Sequence, residues 1–224
     1  MIDNAALMMR SWRVNAQAWI EVVRGGLITS RRVATDDAIV NAAMALKPGR
    51  VLDVGCGEGW LCRVLAAAGV AAVGLDASPE LIAAARQSGE GEFHLAAYAE
   101  LENLRPGIGA FPVIVCNFSL LEEEVGSVLQ HLRLFLAAGG SLLIQTLHPG
   151  SDEGDGNRDG WRVESFAGFE AYFAQAMPWY FRSLTSWSAL LTSNGFYIES
   201  FIEPLDPESG TPLSILLECK LSES

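Results

Sequence analysis

The sequence predicts an α/β fold with a doubly wound, mostly parallel seven-stranded sheet, an antiparallel last strand and helices on both faces. Three observations predict this fold. Short apolar runs alternate with amphipathic segments from about residue 50 to residue 147. A glycine-rich turn joins the first apolar run to the segment that follows it. Two more apolar runs end the chain, and the Pro- and Gly-containing loop between them suits antiparallel pairing.

The first elements are helical. Residues 4–24 carry apolar side chains at helical spacing and are expected to form one helix that ends at Gly25-Gly26, and residues 35–37 cap a second helix that runs to about Leu46. Strands and helices then alternate. The expected strands lie near 50–54, 71–75, 92–96, 112–117 and 140–147, and the expected helices near 60–68, 79–88 and 122–137. This order predicts parallel strands joined by helical crossovers.

The pattern changes after His148. Residues 150–160 are rich in Gly, Asp, Ser and Asn and are expected to form a mobile loop, followed by an aromatic stretch from Trp161 to Phe181. A helix at 184–193 and strands at 196–202 and 213–219 complete the chain. We expect one domain, residues 1–224, with an N-terminal helical cap over 1–46 and an aromatic insert, or lid, over 148–182. Both would lie at the carboxyl edge of the sheet, where such folds bind ligands.

The amino-acid composition limits the kinds of partner that we expect this protein to bind. The chain has 224 residues, half of them apolar, which suits a single folded domain. A net charge of −12 argues against a nucleic-acid partner, because phosphate binding needs clustered Lys and Arg. No apolar stretch is long enough to span a membrane, and the four cysteines show no metal-ligand spacing. We therefore expect a cytoplasmic protein with reduced thiols, no bound metal and no membrane contact; the oligomeric state stays open.

The most informative segment is residues 50–59. Val51, Leu52 and Val54 form a short apolar strand, after which Gly55, Gly57 and Gly59 stand at alternate positions. Alternate glycines allow the backbone to turn tightly and to approach a ligand closely, because no Cβ intervenes. The helix that follows offers unpaired N–H groups at its first turn. The segment predicts a cradle for a nucleoside cofactor.

The residues around the glycines favour one kind of cofactor. A dinucleotide fingerprint has a third glycine where this chain has Trp60. Asp53, two positions before Gly55, would repel a diphosphate and attract an ammonium group. These features favour S-adenosylmethionine, which carries an ammonium and a cationic sulfur, with S-adenosylhomocysteine as the product.

Four segments, in order, resemble the motifs of class I S-adenosylmethionine-dependent methyltransferases, which have a Rossmann-like fold. Residues 51–59 resemble the first motif, 73–78 the second, 113–118 the fourth strand and 132–144 the turn into the fifth strand. Residues 178–182, with the helix and Asn194-Gly195-Phe196 after them, resemble the late region of the small-molecule, ubiquinone-biosynthesis-like branch. Spread over roughly 100 residues, these matches are more specific than one glycine loop.

The resemblance implies a set of cofactor-binding residues. Asp76 would accept hydrogen bonds from the ribose hydroxyls, with Ala77 against the adenine, and Arg31, preferred slightly over Arg32, would pair with the cofactor carboxylate. The family's acidic residue after strand three is missing here, which leaves Tyr98, a backbone group or Glu100 to meet the adenine. The full set is Arg31, Asp53, Gly55, Cys56, Gly57, Gly59, Asp76, Ala77, Ala97, Tyr98, Asn117 and Phe118.

The acceptor site is less well defined. His148, directly after strand five, is the best placed of three histidines to act as a general base, and Tyr180 is the second catalytic candidate. Trp19, His148, Tyr180 and Arg182 are the expected substrate-binding residues. A base is needed if a hydroxyl is methylated, whereas a neutral amine or a thiolate does not require one.

These expectations predict a methyltransferase that acts on a small molecule by in-line displacement. Two alternatives keep the fold: a methyltransferase for a protein or another macromolecule, and an inactive S-adenosylmethionine-binding protein. A nicotinamide oxidoreductase is disfavoured by Asp53 and Trp60. The acceptor and the methylated element, O, N, S or C, stay undetermined.

Overall fold

The computed structural model describes residues 3–89, 91–148 and 158–222. Seven strands form the main sheet: β1 Arg50–Val54, β2 Ala71–Asp76, β3 Glu92–Leu95, β4 Phe111–Asn117, β5 Leu136–Leu147, β8 Phe196–Ile202 and β9 Ser214–Leu221. Their order is β3-β2-β1-β4-β5-β9-β8, and β9 runs antiparallel to both of its neighbours. The predicted fold class is therefore confirmed.

Eight α-helices are described: α1 Asn4–Val14, α2 Ala16–Arg24, α3 Asp36–Ala45, α4 Trp60–Ala67, α5 Pro79–Gln87, α6 Leu101–Ile108, α7 Gly126–Phe135 and α8 Leu184–Ser193. Alternating strand side chains bury both faces of the sheet. Val51 and Val113 pack with α3 and α4 on one face, whereas Leu52 and Ile114 pack with α6, α7 and α8 on the other. The carboxyl ends of β1, β2 and β4 are left free at one edge.

Three local predictions were wrong. The expected helix over 4–24 is two helices, because the buried side chain of Asn15 bonds to another segment where the helix would continue. The helix expected over 122–137 starts at Gly126 and ends at Phe135, and β5 begins at Leu136. Helix α6 was not predicted, because Pro106 and Gly107 within it argue against a helix in the sequence.

The aromatic stretch contains a second, two-stranded sheet of β6 Gly160–Glu164 and β7 Met177–Phe181. Helix α1 packs against β7, so the beginning of the chain and the insert meet above the carboxyl edge of the main sheet. Most of the loop expected over 150–160 lies outside the described residues.

Candidate functional site

One cavity of about 710 Å³ lies between the carboxyl edge of the sheet and the two segments above it. Its two ends differ in chemistry. The glycine-loop end is defined by Arg31, Asp53, Gly57, Asp76, Ala77 and Tyr98. The aromatic chamber is defined by Trp12, Trp19, Phe166, Phe169, Phe173 and Trp179. A cavity of this size lies within the range that binds small ligands.

The glycine loop requires glycine for different reasons at each position. Gly55, Gly57 and Gly59 all have left-handed backbone, with φ of 78°, 57° and 82°. A Cβ on Gly55 would lie 2.3 Å from the Cβ of Ser119, and one on Gly59 would lie 2.9 Å from Phe93 Cζ. A Cβ on Gly57 would meet nothing within 4 Å. Gly55 and Gly59 therefore serve packing, whereas Gly57 borders open space in the cavity.

Asp76 fastens the loop to the end of β2. Its Oδ2 accepts a hydrogen bond from the N–H of Gly57 at 2.9 Å, and its Oδ1 accepts from the N–H of Ser78 at 2.8 Å. Ser78 caps α5 by accepting from the N–H of Leu81, so Asp76 is not the helix cap. Burial raises the pKa of Asp76, opposed by the backbone N–H groups. Each oxygen retains a lone pair for a ligand hydroxyl.

Asp53 is a second carboxylate at this end, and it is buried. Its Oδ2 accepts a weak hydrogen bond from the Cys62 thiol at 3.6 Å. Burial, with a smaller contribution from the negative charge of Asp76, raises the pKa of Asp53 to about 7. A cation placed beside this carboxylate would favour its ionised form.

Arg31 lines the glycine-loop end of the cavity, whereas Arg32 is not among the described lining residues. It begins a π-helical turn, Arg31–Thr35, that runs directly into α3; such turns are frequent at functional sites. Its Nε donates to Asp36 Oδ1 at 2.8 Å, and its guanidinium stacks 4.7 Å from the ring centre of Trp60. The two terminal nitrogens bond to no described residue.

Gln145 connects this turn to β4. Its Nε2 donates to the carbonyl of Thr35 at 3.0 Å and to Asn117 Oδ1 at 2.8 Å. Phe118, next to Asn117, has a φ of 52°. Phe118 lines the cavity together with Asn117, and both were predicted to bind the cofactor. Sequence reasoning missed Gln145, whose only signal is a polar residue inside an apolar strand.

The groups after β3 are already hydrogen-bonded. The hydroxyl of Tyr98 donates to the carbonyl of Ser119 at 2.8 Å, and the N–H of Ala97 donates to Glu100 Oε2 at 2.8 Å. Glu100 thus caps its own short turn rather than reaching into the cavity. Tyr98 can therefore offer a ligand the face of its ring, and Ala97 can offer its small side chain.

A buried ion-pair network centred on Glu58 holds the glycine loop in place. The sequence analysis did not predict this network. The carboxylate of Glu58 is 3% exposed and binds Arg63 Nη2 at 2.7 Å and Arg24 Nε at 2.8 Å. Arg24 also donates to the carbonyl of Ala84 at 3.1 Å. It thereby joins α2 to the glycine loop and to α5. The signal in the sequence was an acidic residue between two glycines.

The aromatic chamber is built from rings that contact one another. Trp19 stacks on Trp12 with ring centres 5.1 Å apart and meets Phe173 edge-on at 5.0 Å. Phe166 stacks on Phe173 at 3.9 Å. Trp19, predicted to bind substrate, therefore lies in the chamber wall, and its Nε1–H is buried with no partner among the described residues.

Three other residues were predicted for the acceptor site: His148, Tyr180 and Arg182. None of them is among the described residues that line the cavity. The Nε2 of His148 lies 2.8 Å from Glu203 Oε1. Met177 and Trp179 line the cavity, so Tyr180, one position out of phase on β7, faces away. Arg182 is buried and donates to the carbonyl of Glu123 at 2.7 Å.

The structure brings most of the other predicted residues together. The lining residues are Trp19, Arg31, Asp53, Gly55, Cys56, Gly57, Asp76, Ala77, Ala97, Tyr98, Asn117 and Phe118. Gly59 is not one of them. Open space at Gly57 beside the carboxylates of Asp53 and Asp76, which have raised pKa values, fits a nucleoside that carries positive charge better than a diphosphate.

The sheet order, the glycine loop and the acidic residue at the end of β2 define a Rossmann-like nucleoside-binding protein. Residues 30–200 match the methyltransferase domain family. The match covers most of the chain, so the chain belongs to that family, and the family predicted from sequence is confirmed.

Individual relatives are more distant. A ubiquinone biosynthesis O-methyltransferase of Xanthomonas campestris is 33% identical over 117 residues, 49% of this chain and 47% of the relative. A homologue from Xylella fastidiosa is 30% identical over 116 residues, 49% of this chain and 46% of the relative. The chain thus spans about half the length of these curated relatives.

Solved structures extend the likeness of fold over the whole chain. The 1,6-didemethyltoxoflavin-N1-methyltransferase of Burkholderia thailandensis, with S-adenosylhomocysteine bound, has a TM-score of 0.68 at 19% identity, covering 100% of this chain and 92% of its own. Magnesium protoporphyrin IX methyltransferase of Synechocystis, also with S-adenosylhomocysteine, has a TM-score of 0.67 at 18% identity, covering 99% and 100%. At these identities the likeness concerns the fold alone.

The described residues contain neither a membrane-spanning helix nor a metal-binding cluster. No helix there is both long and apolar enough to cross a membrane. In the same residues, no group of three or more His, Cys, Asp or Glu side chains is arranged to hold a metal ion.

Proposed function

We propose that this chain is an S-adenosylmethionine-dependent methyltransferase that methylates a small molecule by in-line displacement and releases S-adenosylhomocysteine. The observation that carries the proposal is the open space at Gly57 beside the buried carboxylate of Asp53 and the partly buried carboxylate of Asp76. Family membership and the cofactor products in the solved relatives support it.

Each residue of the glycine-loop end has a role in this proposal. Asp76 accepts the ribose hydroxyls, and Asp53 favours the ammonium. Arg31, held by Asp36 and Trp60, offers its terminal nitrogens to the carboxylate. When bound, S-adenosylmethionine supplies a methyl group on a sulfonium sulfur. The aromatic chamber excludes water and holds the acceptor in line, because positioning supplies much of the acceleration in such a reaction.

A small acceptor is favoured over a macromolecule because α1, α2 and the insert cover the cavity. In the same proposal the chain is one domain, with residues 1–46 as the cap and 148–182 as the lid. A cytoplasmic location, also proposed, is supported by four buried cysteines that form no disulfide. The general-base role predicted for His148 finds no support in its position beside Glu203.

Calorimetry with S-adenosylhomocysteine and with NADH tests the proposed cofactor. We expect S-adenosylhomocysteine to bind and NADH not to bind. Gly57→Ala should weaken S-adenosylhomocysteine at least about tenfold, because the methyl group would enter the space meant for the cofactor.

Gly69→Ala is the matched control. Gly69 also has left-handed backbone, with a φ of 81°, and a Cβ there meets nothing within 4 Å, but the residue does not line the cavity. Both variants should lose about 1 kcal/mol of unfolding free energy from backbone strain. Equal S-adenosylhomocysteine affinity in the two variants, or tight NADH binding, would overturn the proposed cofactor site. Transfer of labelled methyl groups to a metabolite extract then separates an enzyme from an inactive binding protein.

A further inference from the structure

The acceptor end of the cavity contains one carboxylate that the fold does not use. Five described carboxylate side chains line the cavity: Asp53, Glu58, Asp76, Glu122 and Glu164. Asp53 accepts from a thiol, Glu58 binds two arginines, and Asp76 binds backbone N–H groups. Glu164 accepts from the N–H of Phe166 at 2.6 Å. Of these five, only Glu122 makes no side-chain hydrogen bond or ion pair with another described residue.

The backbone of Glu122 is nevertheless held firmly by β7. The N–H of Tyr180 donates to the carbonyl of Leu121 at 2.8 Å, and Arg182 Nη2 donates to the carbonyl of Glu123 at 2.7 Å. The guanidinium of Arg182 is itself stacked 4.9 Å from the ring centre of Trp187. Tyr180 and Arg182 thus fix the loop that carries Glu122, although their own side chains lie outside the cavity.

Glu122 also stands between the cavity and solvent. A shallow second cavity shares it as a wall and is otherwise lined by Asp3, Glu123, Glu124 and neighbours. The side chains of Glu123 and Glu124 are exposed. A proton bound by Glu122 from the chamber side therefore has a path to water on the other side. Burial raises the pKa of Glu122, which makes its carboxylate a stronger proton acceptor than an exposed one.

The charged groups around Glu122 do not neutralise it. Arg13 of α1 and Glu164 of β6 line the same cavity, and Arg182 contacts the main-chain carbonyl of Glu122 at 3.5 Å. Asp3 at the start of α1 and the adjoining Glu123 and Glu124 line the second cavity with Glu122, and the phenol of Tyr98 interacts electrostatically with its carboxylate. Asp3 caps α1, and Glu123 accepts from the indole N–H of Trp161 at 3.0 Å.

A second, independent observation points to a ligand in the chamber. The Nε1–H of Trp19 is buried in the cavity wall without a partner among the described residues. Buried donors nearly always have partners, and leaving one unpaired costs about 1–3 kcal/mol. The rings around Trp19 offer no acceptor oxygen or nitrogen, so a molecule in the chamber would supply it.

We propose that Glu122 takes the proton from the methyl acceptor, and that this acceptor is a flat aromatic alcohol that also accepts a hydrogen bond from Trp19 Nε1–H. This inference rests on the proposed function. As the acceptor oxygen forms its bond to the methyl carbon, the carbon–sulfur bond breaks and its electron pair stays on sulfur. The hydroxyl proton passes to a carboxylate oxygen of Glu122.

The test uses 1-naphthol, 2-naphthol, 7-hydroxyquinoline and 8-hydroxyquinoline as probes. Fluorescence titration of the full chain saturated with S-adenosylhomocysteine should detect binding of at least one probe. Trp19→Phe retains the ring but loses the N–H. We expect it to weaken a bound quinoline about tenfold and a bound naphthol less than about twofold, since only the quinolines carry a ring nitrogen that accepts the bond.

Glu122→Gln tests the proton acceptor, with Glu124→Gln, outside the main cavity, as the matched control. Glu122→Gln should lower the rate of methyl transfer to the bound probe at least about a hundredfold and change probe affinity less than about threefold. It should also remove the rise of the rate with pH that reports the Glu122 carboxyl. Glu124→Gln should leave rate and pH profile unchanged.

Each failure has a distinct meaning. If S-adenosylhomocysteine does not bind the wild-type chain, the proposed function fails. If S-adenosylhomocysteine binds but none of the four probes does, or if Glu122→Gln keeps the wild-type rate and pH profile, the inference about Glu122 and the acceptor is wrong while the proposed function stands. Equal loss of quinoline and naphthol binding in Trp19→Phe would overturn the hydrogen bond.

Discussion

Asn15 holds Gln175 through both ends of its side-chain amide. Its Nδ2 donates to the carbonyl of Gln175 at 2.7 Å, and its Oδ1 accepts from the N–H of Gln175 at 3.3 Å and from that of Ala174 at 2.9 Å. The two residues are 160 positions apart in the chain. The contact breaks the first helix and joins it to the insert, so the two segments covering the cavity form one roof.

The roof should loosen when Asn15 is removed. Asn15→Ala leaves two N–H groups of the insert without partners and the carbonyl of Gln175 with only a long hydrogen bond from Ser11 Oγ at 3.4 Å, so we expect a loss of about 2 kcal/mol of unfolding free energy. Hydrogen exchange should accelerate in β6 and β7 but not in β1 and β4. Gln17→Ala is the control, because Gln17 is exposed and its amide bonds only Glu21. Unchanged exchange in β7 would contradict the role of Asn15.

The network around Glu58 should be needed for loop stability. Glu58→Gln removes the charge from a buried side chain that binds two arginines, and we expect a loss of about 2 kcal/mol in urea unfolding. Glu21→Gln, on the exposed face of α2, should change stability by less than about 0.5 kcal/mol. If the two variants unfold at the same urea concentration, the network contributes nothing to stability.

Arg31 and Arg32 should differ sharply in ligand binding. Arg31→Gln should weaken S-adenosylhomocysteine about tenfold, because a charge-assisted hydrogen bond to its carboxylate is lost. Arg32→Gln should change the affinity less than about twofold, because Arg32 lies outside the cavity as the described residues line it. Calorimetry measures the affinity of both variants for S-adenosylhomocysteine. Equal affinities would show that Arg31 does not bind the cofactor carboxylate.

Asp53 should make the ligand-free protein less stable as the pH rises. Its pKa is raised to about 7 in the folded chain, whereas the unfolded value is near 3.8. The folded state therefore binds the proton more tightly, and the stability present at low pH is lost as the pH rises towards 7. Between pH 5 and pH 8 the loss due to this group should be roughly 3 kcal/mol.

Urea unfolding of wild type and Asp53→Asn at both pH values measures this effect, since other titrating groups cancel in the comparison. Asp37→Asn serves as the exposed control and should follow the wild type. A wild-type protein whose stability changes with pH no more than that of Asp53→Asn would show that Asp53 is ionised throughout.

Local sequence signals were sufficient for the fold and for one end of the site. Alternating apolar runs predicted the strands, and the spacing of Gly55, Gly57 and Gly59 predicted the loop, because these features depend on neighbouring residues in the chain. Asp76 was found for the same reason: it ends a strand whose position follows from the pattern.

The residues at the acceptor end of the site could not be predicted in the same way, because their positions depend on contacts between segments that are distant in the sequence. Tyr180 and Arg182 were predicted to face the substrate, but a strand presents alternate residues to opposite sides, and only the tertiary structure decides that Met177 and Trp179 face inward. His148 pairs with Glu203, 55 positions away, which no local pattern indicates.

By itself, then, the sequence determined the order of the strands and helices, the glycine loop and the acidic residues at the ends of β1 and β2. The tertiary structure decided how Asn15 closes the roof, how Glu58 is neutralised and which acidic side chain is left unpaired in the chamber. The physical reason is that backbone geometry and hydrophobic periodicity act over a few residues. Burial, ion pairing and the pKa of a carboxyl are set by whichever distant segments fold against it.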